Sequence, residues 1–252
     1  MPQREALRPR VGSPGGWAEF KAGVRAAAPI ALGMVPLGIA FGVLMVQSGF
    51  HWWWAPVFSV VIYAGSIEFL AIGMITGGVT AVGAALTAFM VNFRHLFYGL
   101  TFPREQISSR LGRAYSTYAL TDESYAIVSA TPDQKAMSGT RILAIQGTCQ
   151  LIWVLGGAIG ALGGNLLPPD LKGTEFALTA LFVVLGMEAF RANPDFSLPL
   201  IALGLATAAF LLAPQYMLVV ALVTYFCTLI LRYLSPRMDL ALTWKARSCR
   251  MQ

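Results

Sequence analysis

Charged side chains are scarce in this chain. Asp, Glu, Lys and Arg make up 12% of 252 residues, while hydrophobic residues make up 56%. An ordinary soluble domain is about a quarter charged. Residues 26–50, 142–169 and 196–231 hold no Asp, Glu, Lys, Arg or His at all. A helix crosses the roughly 30 Å hydrocarbon core with about 20 apolar residues, so runs of this length exclude a soluble globular fold. Cysteine is also rare. Cys149, Cys227 and Cys249 show no paired spacing, which excludes a disulfide framework and leaves two small hydrophobes in spans and one reduced thiol. Soluble-enzyme signatures are missing: no Walker loop, no His-Glu-x-x-His, no Cys-x-x-Cys and no Gly-x-Ser-x-Gly. No metal site, cofactor or enzymatic activity is expected.

The net charge of +6 sits at the two ends. Residues 1–25 carry five basic and two acidic groups, and residues 232–252 carry five basic and one acidic. Basic excess flanking spans is the positive-inside pattern, which places both termini in the cytoplasm and argues against nucleic acid as a partner. The first apolar run exceeds a signal h-region and lacks a small-residue cleavage site, so it reads as a retained span.

The fold class expected is all-α, a polytopic transmembrane bundle of about seven apolar segments and six to eight crossings. The segments are 24–47, 55–78, 79–100, 142–164, 175–191, 197–213 and 215–234, with a weaker candidate at 115–131. A basic tail is expected over 1–22, the membrane domain over 23–234 and a second basic tail over 235–252. His51-Trp52-Trp53-Trp54 belongs at headgroup level. Arg104, Arg110 and Arg113 create a parity problem, because three full spans before them would leave them outside. Either 115–131 crosses as an eighth span, or one stretch within 55–100 is re-entrant and six full crossings remain. The charge rule favours the second and segment length the first.

Small-xxx-small pairs at Gly38/Gly42, Gly73/Gly77, Gly156/Gly160 and Gly160/Gly164 are expected at close helix contacts, which carry association in lipid. Chemistry is expected from polar groups inside apolar sequence, since each costs at least about 2.5 kcal/mol without a partner. In Tyr63-Ala64-Gly65-Ser66-Ile67-Glu68, Glu68 is the sole charged residue between Arg25 and Arg94. It is a path-lining carboxylate or a protonated structural one. In Asn92-Phe93-Arg94-His95, Arg94 can pair with Glu68 or fork onto a substrate carboxylate, or snorkel. His95 can relay protons or simply hydrogen-bond. In Thr121-Asp122-Glu123, one carboxylate is expected to balance Arg94, with Thr121 or Asp122 as a rival helix cap. Glu188 and Arg191 read as an intrahelical pair. In Gly33-Met34-Val35-Pro36-Leu37-Gly38, an unwound helix would aim free N–H groups at a carboxylate. Gly33, Pro36, Gly38, Gly65, Ser66, Glu68, Asn92, Arg94 and His95 are the expected substrate-lining set. Glu68, Asp122 and Glu123 are expected to provide coupling or charge balance.

These residues carry a resemblance to the AzlC family of branched-chain amino-acid permeases. The matching runs are Pro36 to Gly42, Tyr63-Ala64-Gly65-Ser66 with an acid and Phe69, Val91 to Leu96, Thr121-Asp122-Glu123, Trp153 to Gly156, and Phe176 to Phe182. The resemblance implies a bacterial inner-membrane permease subunit. It exports branched-chain, neutral amino acids such as valine, or their analogues, with a small multispan AzlD-like membrane partner, and a higher oligomer is compatible with it. Glu68 stands where the family pattern is expected to have Gln. The alternative function is a non-transporting membrane scaffold whose polar clusters bind partner helices. An intramembrane enzyme using Glu68 and His95 as acid and base lacks any nucleophile.

Overall fold

The computed structural model describes residues 15–131, 137–167 and 194–235, with isolated positions between 179 and 190 and between 239 and 244. Every described element is helical. Two long helices form the spine: α1 (Gly16–Gln47) and α8 (Gly139–Gly164). Between them lie α2 (Trp54–Val61), α3 (Gly65–Thr76), α4 (Ala81–Asn92), α5 (Arg94–Thr101), α6 (Arg110–Tyr118) and α7 (Asp122–Ser129). After α8 come α9 (Ser197–Leu212) and α10 (Met217–Leu234). By length and hydropathy, α1, α8 and α10 can each cross a membrane unaided.

Glycine holds the spine together. Gly38 lies against Gly156 and Gly157, Gly42 against Gly157 and Gly160, and Gly160 against Ile39. Lower down, Gly23 faces Arg141 and Ala144. Residue numbers rise together on the two helices, so α1 and α8 are parallel. Ser138, the N-cap of α8, donates from Oγ to Glu19 Oε2 at 2.7 Å, tying the two starting ends together. The Gly73/Gly77 pair plays no such role, since Gly73 has no neighbour within 4 Å of a built Cβ.

α1 corrects one expectation. It runs unbroken through Pro29, Gly33, Pro36 and Gly38, because neighbouring helices in a bundle re-satisfy the few groups a proline frees. It also begins at Gly16, inside the span assigned to the basic tail, with Trp17 stacked on Phe20 and Lys21 over the Trp17 ring.

The break falls instead in the second apolar stretch. α2 ends at Val61 and α3 begins at Gly65, with Tyr63 between them at a left-handed φ of 43°, a strained conformation for a bulky residue. Ser59 Oγ lies 2.9 Å from Glu68 Oε2. A straight helix would separate residues nine apart by about 13 Å, so the chain has folded back on itself. α4 and α5 are interrupted only at Phe93, and the Phe89, Phe93 and Phe97 rings stay in i,i+4 contact across the joint. Together they reach from the far end of α1 to the starting end of α8, where Gln106 and Ile107 meet Gly139. α6 and α7 then make a second fold-back hairpin from that end. The weakly apolar 115–131 is therefore broken at Ala119–Thr121 rather than being one continuous span. Its tip meets the first tip: Tyr63 and Tyr118 rings lie 5.9 Å apart, and the Tyr118 hydroxyl donates to Val60 O, a carbonyl the break has freed.

α9 and α10 form an antiparallel pair turning at Ala213 to Tyr216. A buried ion pair closes its open end. Arg232 Nη2 donates to Asp195 Oδ2 at 2.9 Å, Nη1 to Ser197 Oγ and Nε to Asp239 Oδ1. The Trp244 amide donates to Asp195 Oδ1, which docks this residue of the expected basic tail against the start of α9. Burial works against the charge on Asp195, which lies outside the helices, but hydrogen bonds from Ser197, Trp244 and Arg232 outweigh it and hold the carboxyl below the usual range. Its stabilisation is thus complete above about pH 5 and is lost as pH falls below the unfolded value of about 3.9. Asp195→Ala is expected to lower bundle stability by about 3 kcal/mol, because Arg232 is left buried without its main partner. Thermal unfolding in detergent at pH 7 checks this, and the loss should shrink toward pH 3.

The Glu188–Arg191 pair, Lys135, Cys249 and most of 168–193 lie outside the described residues. Cys149 is buried and Cys227 exposed, both as free thiols.

Candidate functional site

The two fold-back tips and the Phe93 joint converge on one polar pocket of about 60 Å³ at the middle of α8. The first tip contributes Tyr63, Ala64, Gly65 and Ser66. The α4–α5 joint contributes Asn92, Arg94 and His95, and the second tip Thr121, Asp122 and Glu123. Met34 of α1 and Trp153 of α8 close it.

Local sequence explains each element. Gly65 starts α3 because the Trp153 ring lies 3.3 Å from where a Cβ would stand. Ala64 caps α3 without a side-chain hydrogen bond, so the first-turn N–H groups have no acceptor within the helix and their partial positive charge lies beside the pocket. Thr121 caps α7 in a capping box with Ser124, which fixes Asp122 and Glu123 in the first turn. Arg94 Nη2 meets Asp122 Oδ2 at 2.5 Å, with both side chains about a third exposed. Of the two carboxylates, Asp122 pairs with Arg94. Adjacent helix residues point about 100° apart, so Glu123 lines another part of the wall.

Among the described residues, four buried polar atoms here have no partner: Tyr63 OH, Asn92 Oδ1, Arg94 Nε and Asp122 Oδ1. Unpaired buried groups cost free energy comparable to a lost hydrogen bond, and these four surround one cavity. They offer two carbonyl-type acceptors, a hydroxyl and a cationic donor. His95 Nδ1 lies 3.2 Å from Asn92 O and its ring edges onto Tyr98.

Glu68 sits just behind this wall, fully buried. Both oxygens are engaged, Oε2 by Ser59 and Oε1 by Trp153 Nε1 at 2.9 Å. It makes no ion pair with Arg94, and its carboxylate meets the pocket wall at Trp153. Gly33 and Pro36 are exposed on the outer face of α1, and Gly38 is covered by α8. None of these three lines the pocket.

Ser59, Tyr118 and Trp153 were not singled out as site residues by sequence reasoning. Beyond its place in the family-like run Trp153 to Gly156, the signal at Trp153 is an indole N–H inside a charge-free glycine-rich stretch, which must find an acceptor when buried.

A larger apolar chamber of about 1090 Å³ adjoins the pocket between α4–α5 and α10. Ser66 and Arg94 line both spaces.

The model of the family described as AzlC protein matches residues 29–167, which contain both tips, the joint, all of α8 and α1 from Pro29 onward. The chain belongs to the AzlC family. It is 32% identical over 197 residues to the branched-chain amino acid transport protein AzlC of Bacillus subtilis strain 168, covering 78% of each chain. An uncharacterized membrane protein of Haemophilus influenzae is 32% identical over 208 residues, 81% of this chain and 85% of the relative. Inner membrane protein YgaZ of Escherichia coli K12 is 30% identical over 185 residues, 70% and 75% of the two chains. No solved structure matches. As an AzlC-family member, this is a bacterial membrane protein of a transport family and not an enzyme.

Proposed function

We propose that this AzlC-family chain is the large subunit of a two-component exporter that carries neutral, branched-chain amino acids such as valine outward across the inner membrane. The observation that carries the reading is the convergence of the Arg94–Asp122 pair, the α3 N-terminus and four unpartnered polar atoms on one mid-bundle pocket. The arrangement complements a zwitterion. Asp122 Oδ1 and Asn92 Oδ1 accept from the ammonium, while Arg94 and the first-turn N–H groups of α3 hold the carboxylate. A cavity of 60 Å³ admits a few waters but not a whole amino acid, since ligand pockets begin near roughly 300 Å³. Two hairpins entering from opposite ends are natural alternating gates for access to it. The substrate class is the one printed for the Bacillus subtilis relative, and export with an AzlD-like partner rests on the family resemblance.

We further propose six crossings with both termini cytoplasmic: α1, α4–α5, α8, α9 and α10, with α2–α3 and α6–α7 re-entrant, and a sixth read from sequence alone in the apolar stretch 175–191, which lies largely outside the described residues. Arg25, Arg104, Arg110, Arg113 and Arg141 then gather on the side where α1 and α8 begin, as the charge rule requires.

The first test is efflux of labelled valine from cells loaded with a valine dipeptide, expressing this chain, a small AzlD-like partner, or both. Faster efflux with both is expected. No change in any combination, with both proteins in the membrane, would favour the scaffold role. Glu68 is the proposed coupling residue. Trp153 Nε1 can only donate, so a proton on this carboxyl resides on Oε2 and faces Ser59. Glu68→Gln is expected to leave the protein folded and to flatten the dependence of efflux on pH between about 6 and 8. An unchanged pH profile would remove Glu68 from coupling.

A further inference from the structure

We propose that the apolar chamber between α4–α5 and α10 receives the substrate's side chain, and that it, rather than the polar pocket, sets which amino acids are carried. The inference rests on the exporter reading and deepens it. The polar pocket, at about 60 Å³, is matched to a charged head and leaves no space for what the head is attached to. The chamber, at about 1090 Å³, opens on it directly, because Ser66 and Arg94 belong to both walls. An amino acid whose carboxylate meets Arg94 therefore has its side chain directed either back into the packed tips or into this chamber.

The chamber wall is chemically suited to the task. Phe93 and Phe97 come from the α4–α5 helix, and Leu222, Phe226 and Leu229 from α10. Phe93 meets Phe226 edge to face at 4.6 Å between centroids, which brings the two helices together at the joint beside Arg94. Among the described residues no carboxylate and no lysine lines the space, and apart from Arg94 and Ser66 its polar groups are the hydroxyls of Tyr225 and Tyr233, so a polar side chain entering it would exchange its hydration for few partners. Its size exceeds a branched aliphatic group many times over. The range should thus extend past valine and leucine to larger apolar side chains such as phenylalanine, with polar side chains excluded by chemistry rather than by size. A bilayer lipid chain, a partner helix or a second copy of the chain are the competing occupants.

The test measures efflux of labelled alanine, valine and phenylalanine from dipeptide-loaded cells making the full chain with its small partner. The unaltered chain is expected to export phenylalanine at a rate comparable to valine. Leu229→Trp, which fills the chamber, should lower phenylalanine efflux by about 10-fold or more while alanine changes by less than about 2-fold. Phe226→Ala, which enlarges it, should keep or raise the phenylalanine-to-alanine ratio. The assignment is overturned if valine moves but phenylalanine does not. It is equally overturned if the ratio is the same in both variants as in the unaltered chain with the protein present in the membrane, and one of the competing occupants then fills the chamber. Total loss in Leu229→Trp together with a lowered phenylalanine-to-alanine ratio in Phe226→Ala also overturns it. A chain that moves none of the three amino acids overturns the exporter reading, and this assignment with it.

Discussion

Asp122→Ala is expected to reduce valine efflux by about 100-fold while leaving the amount of protein in the membrane unchanged. Asp122 is at once the partner of Arg94, at 2.5 Å, and the holder of an unpaired oxygen facing the pocket. Charge-assisted hydrogen bonds contribute about 1.5–3 kcal/mol each, which is roughly 10- to 150-fold in a binding equilibrium. The pair is about a third exposed, so its contribution to folding is modest and the loss should fall on transport. Arg94→Ala is expected to behave alike, and Arg94→Lys to retain little activity, because an ammonium cannot reproduce the planar fork. The exchange of the two charges, Arg94→Asp with Asp122→Arg, separates structure from recognition. It restores an ion pair but puts a carboxylate where the substrate carboxylate must lie, so it should fold normally and fail to transport. Full efflux from the exchanged protein would show that the pair only braces the tips.

The second large effect lies in the spine. Gly42→Val and Gly160→Val are each expected to cost about 3 kcal/mol or more and to remove most folded protein from the membrane. A Cβ on Gly42 would fall on the carbonyl oxygen of Gly157, and one on Gly160 on the carbonyl oxygen of Ile39. Both obstacles are helical backbone, which has no alternative rotamer, so α1 and α8 must separate along their length. The separation would also withdraw Met34 and Trp153 from the two sides of the pocket. Gly73→Ala is the control. Nothing stands within 4 Å of its built Cβ, and removing a mid-helix glycine should leave stability unchanged or raise it slightly. Size-exclusion profiles in detergent after graded heating report all three. A Gly42→Val protein as stable as the unaltered chain would show that the helices do not pack through this seam.

Gly38/Gly42 and Gly73/Gly77 are the same four-residue pattern in sequence, yet one pair is buried against a partner helix and the other faces open space. The pattern marks which residues permit close approach. Whether a second helix arrives there depends on segments more than a hundred residues away. The break in the chain follows the same logic. Pro29 and Pro36 made α1 the natural candidate for unwinding, but a proline deletes one donor, and the rest of the helix retains its bonds. Tyr63 breaks the chain because Tyr118, 55 positions later, supplies a hydroxyl to the freed Val60 carbonyl, and because Trp153 crowds Gly65. Asp195 and Arg232 bracket the longest run without Asp, Glu, Lys, Arg or His, roughly symmetrically about the turn at Ala213–Tyr216. That pairing can be read in hindsight from the hairpin geometry.

By itself, the sequence determined the solvent, the helical class and the family, because runs without charge are a local property of the chain and motif order survives without coordinates. It also marked which short polar clusters need partners, since every ionisable group inside an apolar run must be compensated somewhere. Only the tertiary structure decided where that compensation comes from: Asp122 rather than Glu123 or Glu68 for Arg94, Ser59 and Trp153 for Glu68, and the α3 N-terminus rather than α1 as the free helix end. The physical reason is that compensation is made across space, at about 3 Å, between residues whose separation in sequence carries no trace of the contact.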